Sequence, residues 1–345
     1  MKAVVIREHG GVEKLLFEDA PRPECEPGGA VVRVKACALN HLDLWVRNGL
    51  TKRAFPFPLI PGCDVAGVVE EVGAGVDAWK PGAEVVIAPG LSCGSCAHCK
   101  AGDDNLCPSY AILGAWANGG CAEYVSVPAA NLFLKPGRLS FEEAAAVPLV
   151  FLTAWQMLVT RARVRPDEDV LVHAAGSGVS SAAVQIAKLH GARVFVTAGS
   201  KEKIQKAKEL GADEGVNYRT HDFTEEIMRL TDKRGVDVVV DHVGGEVFSK
   251  SLACLVKGGR IVTCGATSGY DISFNAALVF YKCVSVLGST MGRRAHYFDI
   301  LEHVEAGRLE PVVGRVLALE EVRRAHELLE SREIFGKIVL RVSSP

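Results

Sequence analysis

The stretch DVLVHAAGSGVSSAAVQIAKLHGARVFVTAGS, from Asp169 to Ser200, leaves little choice of fold. Val170 to Ala174 is an apolar, Val-rich run too short for a helix, and so reads as a buried strand. Small residues from Ala175 to Ser180 make a turn, after which Val184, Ile186, Ala187 and Leu189 continue with helix-like spacing until Gly191 stops them. Val194 to Thr197 is a second buried strand. A strand, a crossover helix and a strand within about thirty residues is the building unit of a parallel sheet and of a mononucleotide-binding half.

The small residues have a physical reason. A pyrophosphate must reach the backbone N–H groups at the start of the helix, where orphan donors and the helix dipole favour an anion. Read as Gly176, Gly178 and Ser181, or one residue back as Ala175, Ser177 and Ser180, the turn matches only part of a G-x-G-x-x-G pattern. Ser177, Gly178 and Val179 are the residues expected to hold the pyrophosphate. Beyond Ser200 the alternation continues: helix 201–210, strand 216–218, helix 224–230, strand 236–241, helix 247–256, strand 260–264 and strand 284–288. Six short apolar strands alternating with helices make a doubly wound parallel sheet.

From Lys2 to about Tyr124 the sequence changes character. KAVVI, LLFEDA, GGAVVRVKACALN, GCDVAGVVEEVG and AEVVIAP read as strands punctuated by Pro23, Pro27, Gly28, Pro58, Pro61, Pro81 and Gly82, the pattern of a small β-barrel. Ser140 with Glu143 forms a capping box that opens a helix, and VPLVFLTAWQMLV is a second helical segment. The tail from Arg293 returns to helix, strand, helix and strand and ends in FGKIVLRV, which is expected to rejoin the barrel. The expected domains are 1–147, 148–290 and a returning segment 291–345.

Seven of the eleven cysteines are scattered through apolar sequence, the usage of a reducing compartment. The other four, Cys93, Cys96, Cys99 and Cys107, are clustered as C-x2-C-x2-C-x7-C. Four thiolates on one loop close a tetrahedral zinc shell with no open position, so this zinc is expected to hold a lobe together and to do no chemistry. A net charge of −2 argues against nucleic acid or a membrane surface as partner, since both demand a basic excess. With no long apolar run, the expectation is a cytoplasmic protein.

ACALNHLDLWVRNG, PLIPGCDVAGVVEEVG, the four-cysteine lobe, PLVFLTAW, VHAAGSGVSSAAVQIAK, VDVVVDHVGG, GGRIVTCG and FGKIVL together resemble the medium-chain dehydrogenase/reductase superfamily, which includes zinc alcohol dehydrogenases and quinone or enoyl reductases. The resemblance implies a GroES-like β-barrel catalytic domain split around an α/β Rossmann domain, with the active site in the cleft between them. It also exposes departures. Where zinc alcohol dehydrogenases place a cysteine ligand this chain has Asn40, where they place His then Glu it has Cys63 then Asp64, and ahead of the TAW segment, from Leu149 to Leu152, there is no ligand. A catalytic zinc needs three protein ligands and an open position, so none is expected; a rearranged set of Cys37, His41, Cys63 and Asp64 is the alternative. LNHLDLW then resembles the quinone and enoyl reductase branch, with hydride passing to an alkene conjugated to a carbonyl or to a quinone. Asn40, His41 and Asp43 are the expected catalytic residues, Asn40 orienting substrate or nicotinamide, and His41, Tyr281 or water supplying the proton. An alcohol or aldehyde dehydrogenase with an unconventional catalytic zinc is the second reading, and a cofactor-binding protein without turnover the third.

In a site for NAD an acidic residue ends the second strand and takes the ribose hydroxyls. Here Thr197, Ala198, Gly199 and Ser200 carry no acid, and Lys201 and Lys203 follow, so NADPH is expected, with NADH second. Gly199, Ser200, Lys203 and Tyr218 are expected around its adenosine phosphate, and Thr153, Gly265 and Ser289 on the nicotinamide side. An apolar substrate is expected against Trp45, Leu50, Phe55, Phe57, Trp116 and Phe280. An acyl-CoA would engage Lys52, Arg53, Arg293 or Arg294. Val284 to Gly288, as an apolar edge strand, is expected to pair across a two-fold axis in a homodimer or a tetramer built from dimers.

Overall fold

A computed structural model describes residues 1–49 and 54–342. The chain divides into two compact units, one of Met1–Leu149, Arg293–Glu305 and the segment from Pro311 on, the other of Val150–Gly292 and Ala306–Glu310.

The second unit is built on a six-stranded sheet in the spatial order Glu214–Asn217, Arg193–Ala198, Asp169–Val172, Val236–Asp241, Leu255–Thr263 and Ser285–Gly288. Every neighbouring pair is parallel. This is the 3-2-1-4-5-6 order of a dinucleotide-binding sheet, with its switch point between the first and fourth strands. Val170 pairs with Val194 on one side and with Val238 on the other. The middle of each inner strand is apolar because helices cover both faces, and Leu171, Phe195, Val239 and Ile261 are fully buried in the resulting core. The strand Ser285–Gly288 lies at the sheet edge with Val286 47% exposed.

In the first unit the strands Val313–Ala318, Lys337–Arg341, Gly29–Ala38, Asp64–Val72, Glu84–Ile87 and Leu132–Leu134 lie side by side, and Tyr124–Pro128 also pairs with Gly29–Ala38. The last strand, Lys337–Arg341, runs antiparallel to Gly29–Ala38, with Leu340 opposite Cys37. Val32, Val34, Val65, Val85 and Ile338 fill the core between these strands.

Two helices break the sequence expectation. His41–Asn48 stands where only strands were read, and Ala276–Lys282 where no element was assigned. The first is eight residues long, too short for its periodicity to stand out. Its ends were nonetheless marked: Asn40 at the N-cap, Asp43 three residues on, and Gly49 with φ of 72° at the stop. Among the described residues no helix is long and apolar enough to cross a membrane.

Candidate active site, zinc lobe and cofactor face

The strand Gly29–Ala38 ends two residues before the helix His41–Asn48, and Asp43 ties the junction. Its Oδ2 accepts the Asn40 N–H at 2.7 Å and its Oδ1 accepts the Gly62 N–H at 3.0 Å. Gly62 has φ of 94°, and a Cβ there would stand 2.5 Å from Cys37 Sγ and 2.6 Å from Cys121 Sγ. Only glycine fits this turn, which delivers Cys63 and Asp64 to the start of the next strand.

Asp64 is completely buried and fully bonded. Its Oδ2 accepts from Lys337 Nζ at 2.9 Å and from Asn40 Nδ2 at 2.9 Å, and its Oδ1 accepts the Leu149 N–H at 2.7 Å. Lys337, 4% exposed, also donates to Leu39 O at 2.7 Å and Asn40 Oδ1 at 2.6 Å, so each of its three ammonium hydrogens has an acceptor. Asn40 Nδ2 further donates to Cys63 Sγ at 3.3 Å. The ammonium fixes which end of the Asn40 amide is oxygen, because the reverse orientation would set donor against donor.

This geometry changes the roles read from sequence. The Asn40 carboxamide is spent inside the protein, with both ends bonded to Lys337, Asp64 and Cys63, and does not face a substrate as a donor. Both Asp43 oxygens hold backbone N–H groups, and burial pushes its carboxyl up to about 6. His41 is the first residue of its helix; burial, then the charges of Arg332 and Lys337, pull its imidazole down to about 4, so it is neutral at pH 7. A neutral ring does not supply the imidazolium proton that sequence reasoning asked of it. Tyr281, the other candidate donor, is 74% exposed beside an exposed Phe280 on the Ala276–Lys282 helix. Lys337 was missed. Its signal was a lone cation inside the otherwise apolar FGKIVL.

Of the expected pocket walls, Phe55 stacks on Trp116 at 5.5 Å and packs in the barrel core with Phe57 alongside. Leu50, Lys52 and Arg53 lie outside the described residues. Arg293 is paired with Asp103 at 2.5 Å, and the Arg294 N–H with Asp104 at 3.0 Å, so both are tied to the four-cysteine loop.

On the second unit, Ser177 caps the helix Gly178–Leu189, its Oγ accepting the Ser180 N–H at 3.1 Å. Ser200 caps the helix Lys201–Glu209 through the Lys203 N–H at 3.3 Å. A Cβ on Gly176 would lie 3.4 Å from Lys203 Nζ, and one on Gly199 would lie 2.8 Å from Tyr218 Oη and 3.1 Å from Arg219 Nε. Gly176, Gly199, Ser200, Lys203 and Tyr218 therefore come together at the carboxyl ends of the first two strands, joined by Arg219, which the sequence reading passed over although it follows Tyr218 directly. Gly265 and Ser289 meet at Thr263, which donates to Gly265 O at 3.1 Å and accepts the Ser289 N–H at 2.9 Å. The Ser289 hydroxyl is buried with no hydrogen-bond partner among the described residues. Thr153 is buried in the helix Pro148–Trp155.

Residues 26–137 match the family model of the alcohol dehydrogenase GroES-like domain, and residues 178–306 that of the zinc-binding dehydrogenase. The chain belongs to the medium-chain dehydrogenase/reductase superfamily. It is 35% identical to an NAD-dependent alcohol dehydrogenase of Sulfolobus acidocaldarius over 99% of this chain and 100% of that one, and 31% identical to the quinone oxidoreductase of Homo sapiens over 99% and 97%. A solved structure described as an NAD-dependent alcohol dehydrogenase superposes with a TM-score of 0.97 at 56% identity, covering 99% of this chain and 100% of that one. The protein is thus an NAD(P)-dependent oxidoreductase.

As a medium-chain dehydrogenase/reductase it invites two zinc sites, and its residues fit one of them. The ligand atoms of Cys93, Cys96, Cys99 and Cys107 all lie within 4.8 Å of one another, with Cys93 and Cys99 sulfurs 3.9 Å apart. Four sulfurs each about 2.3 Å from one zinc sit about 3.8 Å apart. Backbone N–H groups of Ser95 and Cys96 lead in pulling the Cys93 thiol down to about 6, which favours the thiolate a metal requires. Cys96, Cys99 and Cys93 N–H groups also point at the sulfurs of Cys93, Cys96 and Cys107.

The catalytic position does not fit. Burial, then the Asp64 charge, holds the Cys63 thiol well above its usual range and so protonated. Both Asp64 oxygens are occupied, and an ammonium already supplies the positive charge there. The rearranged set is not assembled either: Cys37 turns into the barrel core, its sulfur 3.8 Å from that of Cys121, and the four-cysteine cluster is the only metal-type group among the described residues.

Proposed function

We propose that this oxidoreductase moves a hydride between NADPH and an activated alkene or a quinone, with one structural zinc and no metal at the reacting centre. The observation that carries the reading is the buried Asn40–Asp64–Lys337 network, which spends the side chains that stand at the ligand positions of zinc alcohol dehydrogenases. NADPH, when bound, supplies the hydride to the β-carbon, and water delivers the proton to the α-carbon. Ser177, Gly178 and Val179 hold the pyrophosphate at the helix start. Ser200, Lys203, Tyr218 and Arg219 surround the 2′-phosphate, where two cations and no carboxylate favour it over a bare ribose. Thr153, Gly265 and Ser289 receive the nicotinamide side, the buried Ser289 hydroxyl being a hydrogen-bonding group still to be matched. The exposed edge at Val286 supports assembly as a homodimer or a tetramer of dimers.

The second reading is interconversion of alcohols and carbonyls with NAD, favoured by the description of the relative at 56% identity. One experiment separates the two. Steady-state oxidation of NADPH is followed with enones, enoyl thioesters and quinones, and reduction of NAD with alcohols, each before and after chelation. Turnover of an enone or quinone with NADPH, insensitive to chelator, supports the proposal. Alcohol oxidation that fails once zinc is stripped from a second site overturns it.

A further inference from the structure

His242 is the first residue after the strand Val236–Asp241, at the switch point beside the strand Asp169–Val172. Its Nε2 lies 2.8 Å from Ser180 Oγ and 3.1 Å from Ser177 Oγ. The proton count is determined by the partners. Ser180 Oγ is 2.6 Å from the His173 carbonyl, which only accepts, so the hydroxyl donates there. Its oxygen is left as an acceptor, and the Ser177 hydroxyl, 2.9 Å away, donates to it as well. The hydrogen between Ser180 and His242 must therefore sit on Nε2, which makes the ring a donor to the two hydroxyls at the head of the helix Gly178–Leu189. The neighbouring titratable groups are engaged elsewhere. Asp241 accepts from the Val243 and Gly244 N–H groups, and His173 is held by Thr197 and Ser251.

We propose that His242 is a positioning residue of the cofactor site. It stands in the half of the sheet that receives nicotinamide and orients the hydroxyls of the turn that receives the pyrophosphate, so the two half-sites are set in register through one imidazole. The inference rests on NAD(P) binding and not on the choice of NADPH.

Calorimetric titration of the full chain with NADPH and with NADH tests it. His242→Leu removes both hydrogen bonds and is expected to weaken both dinucleotides by a common factor of about ten. His242→Gln keeps a donor at the place of Nε2 and is expected within about threefold of the unaltered protein, whereas His242→Asn, whose amide is too short, behaves as the leucine variant. Affinity within about twofold of the unaltered protein for His242→Leu, or equal losses for Gln and Asn, overturns the proposal. A preference for NADH in the unaltered protein sinks the 2′-phosphate reading and leaves this comparison intact.

Discussion

Lys337→Met keeps the length of the side chain and deletes its charge. Asp64 then stays buried with only the Asn40 amide and the Leu149 N–H as donors, while Leu39 O and Asn40 Oδ1 lose theirs. Removing one partner of a buried ion pair costs about 3–5 kcal/mol, because the other charge is left uncompensated. At about 2–4 °C per kcal/mol for a unit of this size, the melting temperature of the barrel unit is expected to fall by about 10 °C. The assay is thermal and denaturant unfolding followed by circular dichroism and calorimetry. Asp64→Asn with Lys337→Met removes both charges and is expected to recover to within about 2 kcal/mol of the unaltered protein. A single variant that melts within about 2 °C of the unaltered protein, or a double variant as unstable as the single, refutes the argument that the ammonium and the carboxylate compensate each other.

Elemental analysis is expected to find about one zinc per chain, and Cys99→Ser, which leaves three thiolates, to lose it along with stability of the barrel unit; two zinc ions in the unaltered protein count against the proposed reaction. His41 has its folded value depressed to about 4 from 6.5, so the unfolded chain binds more protons between those values and stability falls as pH drops through that window. The contribution is at most about 3 kcal/mol, and His41→Gln is expected to flatten that part of the pH–stability curve; an unchanged curve would show that the ring is not desolvated. Lys203→Ala and Arg219→Ala are each expected to raise KM for NADPH about tenfold and to leave that for NADH unchanged, an equal rise for both cofactors contradicting a 2′-phosphate role.

Much of the architecture was legible because it is written in local quantities. Strand length, helical spacing and turn chemistry from Asp169 to Gly288 specify a parallel sheet, and the four-cysteine spacing brings four sulfurs within 4.8 Å of one another, without knowledge of any distant residue. The absence of an acid after Thr197 is equally local. The helix Ala276–Lys282 was less so, since its seven residues are apolar up to Lys282 and no polar face marks a helical period, with Phe280 and Tyr281 left exposed.

The roles within the candidate site were decided by tertiary structure alone. Asn40, Cys63 and Asp64 could be named from sequence, but whether the carboxylate meets a metal, a substrate or another side chain depends on what the returning strand brings to it. Lys337 arrives from 273 residues away, because the strand Lys337–Arg341 pairs with Gly29–Ala38. Arg219 likewise joins Gly199 only because the strand Glu214–Asn217 lies beside Arg193–Ala198. Periodicity and spacing report which face of an element is buried; the partner of a buried charge is set by strand order, which the chain expresses only once it has closed on itself.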